Sequence, residues 1–473
     1  MTTVRRSPQN ARVSGPLPPP VPRSGLVSDL SGTGYREDEF FLEGVAHSYV
    51  LQGERTADGR WRVRPDAEMP FRTRILVRRP EDAARFSGTA VVEWLNVSGG
   101  LDGAPDWSML QRRLIRGGDA WVGVSVQKAG IDGGGIVDGL HLKKADPARY
   151  GDLVHPGDSF ACDIFTQAGR ALTAPEGTNP LGPLRPSLLL AVGESQSASF
   201  LVTYINAIDR DVEVYDGFLV HGRGASGAPL GGMSLPRAGV DIEAGVRGLR
   251  GRPEAIRADA RVPVLVLQSE TDVALLGGGL VGQEDSDRIR LWEIAGAAHA
   301  DTYLLGAAAR DNGTLTAEGL AELLRPTSEV LGVPTGSPIN SGPQQHYVAN
   351  AAIVHLGRWA SGGEPPPSAP RLSLTDDGAG FLTDEHGNAR GGIRTPWVDA
   401  PTATLSGLGQ TGAAFSLLFG RTVPFTEATL SELYPDGRSG YLRRFTERLD
   451  RAIGAGFLLA EDRDEMLALA AAS

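Results

Sequence analysis

Six short apolar-rich runs recur, at residues 90–95, 120–124, 188–192, 217–220, 262–267 and 290–294, and several of them are nearly all apolar. A strand with one wet face alternates apolar and polar positions, so runs this short and this apolar suit strands covered on both faces. Helical periodicity separates some of them. Phe160, Ile164, Phe165, Ala168 and Leu172 share one helix face, with Asp158 placed to cap its start, and Phe200, Leu201, Tyr204, Ile205 and Ile208 share another. Strands alternating with helices predict an α/β fold with a mostly parallel central sheet covered by helices. Strand-like stretches at 40–42, 45–51 and 72–77 read as an opening hairpin.

Around this core the 473 residues divide by composition. Residues 1–30, rich in Pro, Ser, Gly and Arg, bury too little apolar surface to offset chain ordering and are expected to be a flexible tail. The core is expected over 31–361, with the Gly/Arg/Ala-rich stretch 222–261 as a cap-like insertion. Residues 362–409 read as a loop and hairpin excursion. Residues 410–473 read as C-terminal helices packed on the core, carried by Tyr441, Leu442, Phe445, Leu449, Ala452 and Ile453 and by 463–472.

Charge and cysteine content narrow the partners. The net charge of −11 repels phosphates and anionic lipids, so neither nucleic acid nor a membrane surface is expected as a partner. Cys162 is the single cysteine, which excludes an intrachain disulfide and suits a reducing compartment. The N-terminal stretch lacks the apolar segment of a signal peptide, and no apolar run approaches the length of a spanning helix. A cytoplasmic protein is the expectation; the oligomeric state is not indicated.

The chemistry concentrates where the apolar run 188–192 meets Gly193-Glu194-Ser195-Gln196-Ser197 and a helical pattern follows. Strand, sharp turn and helix with serine at the turn form a nucleophile elbow. The strained serine needs small residues two before and two after it, and Gly193 and Ser197 meet that need. A serine hydroxyl needs a base. His299, on the loop after the run 290–294, is the candidate. An acid must orient the imidazole, and the run ending at Leu267 leads into Ser269-Glu270-Thr271-Asp272. Asp272 has the shorter arm and the position past the strand; Glu270 stays open as the alternative. The chain order serine, acid, histidine is that of the α/β-hydrolase fold.

Acyl transfer also needs oxyanion donors. The backbone N–H of Gln196 is one candidate, and the other is expected from the glycine-containing loop after 90–95, at Asn96 or Val97. His221, at the end of the run 217–220, is a candidate pocket residue, as are Glu194 and, if it is not the acid, Glu270. Neither a Walker A string nor HExxH or paired CxxC spacing occurs, so no metal or organic cofactor is expected. Gly277 to Gly282 fits GxGxxG, yet it neither directly follows a strand nor opens an evident helix.

Several further motifs fit a known pattern. They are Gly34-Tyr35-Arg36-Glu37-Asp38-Glu39-Phe40, Arg149-Tyr150-Gly151-Asp152-Leu153, the Gly193–Ser197 and Ser269–Asp272 stretches, Gly296-Ala297-Ala298-His299-Ala300-Asp301, and Gly391-Gly392-Ile393-Arg394-Thr395-Pro396. In these the chain resembles a bacterial family known as alpha/beta hydrolase domain-containing proteins. The resemblance implies the fold and a Ser195/Asp272/His299 triad, and no particular substrate. The expected activity is hydrolysis of a small-molecule carboxylic ester through an acyl-enzyme. Acyl transfer or amide cleavage with the same triad, and a non-catalytic binding protein on the same scaffold, are the alternatives. An imidazole of ordinary basicity would make activity rise with pH between about 6 and 7.5.

Overall fold

The computed structural model describes residues 10–19, 29–135, 139–233, 251–330, 332–412 and 414–472. Residues 1–9 and 20–28 of the expected tail, and 234–250 of the expected cap insertion, lie outside the described residues.

The strands follow in chain order as β1 (Arg12–Ser14), β2 (Tyr35–Leu51), β3 (Val63–Pro80), β4 (Thr89–Trp94), β5 (Ala120–Val124), β6 (Glu176–Gly177), β7 (Leu188–Glu194), β8 (Gly217–His221), β9 (Val264–Ser269) and β10 (Ile289–Ile294). They form one sheet in the order β10-β9-β8-β7-β4-β5-β3-β2-β1-β6. The six apolar runs are β4, β5 and β7 to β10, and all six lie parallel. The opening hairpin β2–β3 is longer than its apolar stretches and joins the sheet antiparallel to β5.

The apolar runs are explained by cover on both faces. Leu188, Leu190 and Val192 point to one side and Leu189 and Ala191 to the other. One face carries α2 (Ala161–Thr173) and α3 (Gln196–Ala207). The other carries α1 (Pro105–Gly117), α4 (Gln344–Ala360), α5 (Gly437–Gly454) and α6 (Arg463–Ala472). The α2 helix begins without a side-chain cap, because the Asp158 carboxylate instead accepts the Lys128 N–H at 2.8 Å. The excursion after α4 lies against β10: Trp292 Nε1 donates to Pro367 O and the Leu372 N–H to Glu293 Oε2. This is an α/β-hydrolase fold. After β5 the chain crosses from one side of β4 to the other, and such a switch point opens a crevice at the carboxyl ends of the strands.

Part of the expected tail is structure. Arg12–Ser14 pairs antiparallel with β2 and parallel with β6, and Ala11 and Val13 are buried beside Phe40 and Leu42. A three-residue strand is too short to show a period in sequence, and its stability comes from the sheet it joins. Val13→Asp places a charge in that core, so it is expected to lower the melting temperature by several degrees; an unchanged melting curve would contradict the docking of this strand.

Candidate active site

The sharp turn between β7 and α3 puts Ser195 at φ 62° and ψ −118°. A non-glycine residue in such a conformation costs about 1–3 kcal/mol and persists only when its surroundings hold it. Here the Ser195 N–H donates to His221 O at 2.8 Å, and Asn96 Nδ2 donates to Glu194 O at 3.1 Å. The turn is also crowded: a Cβ on Gly193 would lie 3.1 Å from both Ser197 Cβ and Leu201 Cδ1. The small residues around Ser195 are a steric requirement.

The loop after β10 brings His299 to the serine, with Nε2 2.9 Å from Ser195 Oγ. On the far side of the ring, Nδ1 donates to Asp272 Oδ1 at 2.5 Å. Asp272 lies in the turn Thr271–Leu275 beyond β9, where its Oδ2 accepts the Ser269 N–H at 2.6 Å and the Ser269 hydroxyl at 2.8 Å. The His299 N–H donates to Thr271 Oγ1 at 3.1 Å. Gly222 gives the ring room, since a Cβ there would stand 3.2 Å from its Cε1 and Nδ1.

Glu270 makes no bond to the imidazole. Its Oε1 accepts the Gly296 N–H at 2.6 Å, and its Oε2 accepts the Gly407 N–H at 2.8 Å and the Ser406 hydroxyl at 3.1 Å. It ties the histidine loop to the excursion segment. Burial pushes its carboxyl up to about 7, against the three bonds that favour the charged form. Of the two candidate acids, only Asp272 touches the ring.

The oxyanion candidates separate as well. The Asn96 N–H donates to Gly103 O at 2.9 Å, so it is not available to a ligand. This corrects the expectation for Asn96, whose side chain braces the elbow instead. The loop folds back on itself at Asn96 and Gly103, a pairing that sequence spacing does not reveal. The Val97 N–H makes no hydrogen bond to another described residue, and neither does the Gln196 N–H, the first of α3.

Strand alternation turns the two remaining candidates to the α1 side. His221 leaves the crevice: its Nδ1 lies 2.9 Å from Asp106 Oδ1 and its Nε2 3.3 Å from Gln345 Nε2. Burial disfavours its charged form, but the Asp106 carboxylate outweighs this and raises its pKa. His221 is 2% exposed and does not line an open pocket; its carbonyl serves the elbow. Glu194 is buried with Oε1 3.0 Å from His299 Nε2. Burial raises its carboxyl to about 7, with His299 and His221 acting in the opposite sense. For His299, burial lowers the pKa, while Glu194 and Asp272 together raise it to about 9.

Sequence reasoning missed the layer below. Glu93, in β4, accepts the Asp106 and Trp107 N–H groups at the start of α1 and the Trp121 Nε1–H. Burial and the neighbouring Asp106 hold its carboxyl well above the usual range. A lone carboxylate inside the apolar run 90–95 was the available signal. Together Glu93, Asp106, His221 and Glu194 form a buried polar row beneath Ser195.

No curated protein matches the chain. Among solved structures, a fungal esterase from Rhizomucor miehei shares 11% identity over 67% of this chain and 85% of its own, with a TM-score of 0.31. A hyperthermophilic esterase from the archaeon Pyrobaculum calidifontis shares 14% over 47% of this chain and 71% of its own, at a TM-score of 0.27. A glucuronoyl esterase from Solibacter usitatus shares 10% over 60% of this chain and 84% of its own, at a TM-score of 0.26. The Alpha/beta hydrolase domain family matches residues 7–468. With this match over nearly its whole length, the chain belongs to the Alpha/beta hydrolase domain family.

Proposed function

We propose that the protein hydrolyses carboxylic esters through an acyl-enzyme on Ser195. The observation that carries this reading is the continuous contact from Ser195 Oγ through the His299 ring to the Asp272 carboxylate. Neutral His299 takes the hydroxyl proton at Nε2 as Oγ bonds to the acyl carbon. The carbonyl oxygen gains charge facing the Gln196 and Val97 N–H groups. The intermediate collapses, the carbon–oxygen bond to the alcohol breaks, and His299 returns its proton to the leaving oxygen. Water then attacks the acyl-enzyme with His299 again as base, releasing the acid and restoring Ser195. Asp272 stabilises the imidazolium at each stage and fixes the tautomer that presents Nε2 to the serine. The substrate is a small-molecule ester. A panel of 4-nitrophenyl esters of graded acyl length tests the reading; no turnover with any of them would count against ester hydrolysis.

The pH dependence follows from the two carboxylates around the ring. A base must be neutral to act, and a raised pKa keeps His299 protonated over a wider range. Its value of about 9 moves the expected rise in kcat/KM upward from the ordinary imidazole range. Activity is expected to climb with pH and level off above about 9. A plateau already reached at pH 7 would contradict this.

A further inference from the structure

Among the described residues, His299 Nε2 meets two oxygens: Ser195 Oγ at 2.9 Å and Glu194 Oε1 at 3.0 Å. The Asp272 bond places a proton on Nδ1, so a neutral ring presents a lone pair at Nε2. That lone pair suits the serine O–H. It does not suit a carboxylate oxygen, which brings only further lone pairs. The short contact to Glu194 is favourable only with a proton in it, carried by the ring or by the carboxyl group.

Glu194 is held in that place. It is the last residue of β7, paired in register with His221 on β8, and its carbonyl is bound by Asn96. The groups acting on it are His299, His221, Asp106 from α1 and Asp272 from the turn beyond β9. Two of these are carboxylates and two imidazoles, and His221 is itself occupied by Asp106. His299 is the partner left for the Glu194 proton contact.

Resting on the reading of Ser195 and His299 as nucleophile and base, we infer that Glu194 is a positioning residue that holds the Nε2 proton of resting His299. The imidazolium is gripped at both ends, by Asp272 at Nδ1 and by Glu194 at Nε2. The active base forms when the shared proton leaves to solvent and Nε2 turns its lone pair to the serine. The same carboxylate steadies the imidazolium after it takes the serine proton. Glu194 therefore sets the pH at which the site becomes active. The raised value of His299, to which the Glu194 carboxylate contributes, has the sign that this grip requires.

The test is the titration of His299 by 15N-histidine NMR in the full-length protein, assigned with His299→Asn, beside the pH profile of kcat/KM. Wild type is expected to titrate at about 9, and Glu194→Gln lower by about one unit or more in both readouts. A role in packing alone would lower activity without moving either midpoint. Should Glu194→Gln not fold, Glu194→Asp, which draws the charge back by one methylene, is expected to shift the midpoint in the same direction. A His299 titration unmoved in the folded variant overturns the inference. Failure of Ser195 to react with a fluorophosphonate would overturn the nucleophile reading instead, and the NMR arm would still decide the role of Glu194.

Discussion

Ser195→Ala is expected to lower kcat for ester hydrolysis by about 10⁴-fold or more, with the fold intact. The substitution removes one hydroxyl whose described partner is His299, and it leaves the strained turn with its backbone anchors from His221 and Asn96. The melting temperature is expected to stay within a few degrees of wild type. Residual activity above about a tenth of wild type in the purified variant would remove Ser195 from the role of nucleophile.

The second large effect separates the two acids. Asp272→Asn keeps the shape of the side chain but not its bonds. The carboxylate accepts on both sides, from His299 on one and Ser269 on the other. An amide turned with its NH2 to the ring forces the proton from Nδ1 to Nε2, the wrong tautomer for a base. Turned the other way, it sets NH2 against the Ser269 N–H. A loss of about 10³ to 10⁴ in kcat is expected. Glu270→Gln also loses an acceptor, for Gly296 or for Gly407 and Ser406, so it is expected to cost stability by about 1–3 kcal/mol. Its loss of kcat should be the smaller by at least about tenfold. The reverse order of effects would exchange the two roles.

Much of this site was legible because each part has a local context: an elbow between strand and helix, a loop histidine after a late strand, a carboxylate past the strand between them. The buried strands were legible because cover on both faces leaves nearly pure apolar runs. What escaped notice depends on contacts distant in sequence. The α4 helix is buried on every side from Gln344 to Ile353, so no polar face marks its period. The α1 helix carries Trp107, Leu110 and Leu114 on one stripe with Arg112, Arg113 and Arg116 off it, a helical period that the sequence does show. Most of the acids these arginines meet lie far along the chain: Asp311 and Glu465 for Arg112, Glu461 beside the nearby Asp119 for Arg113, and both Glu461 and Asp462 for Arg116. The strand Arg12–Ser14 exists only by pairing with β2 and β6. Asn96 was misread because its N–H is taken by Gly103 across a turn, a pairing visible only in three dimensions. Glu194 and His221 were placed near the site by position, yet which way each points follows from the alternation of β7 and β8 and from what α1 and α4 offer there.

The central claim is that Ser195 becomes covalently acylated, and reaction with a fluorophosphonate followed by peptide mass spectrometry tests it most directly. The account predicts a single adduct on Ser195, formed faster as pH rises toward about 9 and absent from the Ser195→Ala variant. No adduct on Ser195 at any pH at which the protein stays folded, or equal labelling of the Ser195→Ala variant, would contradict it.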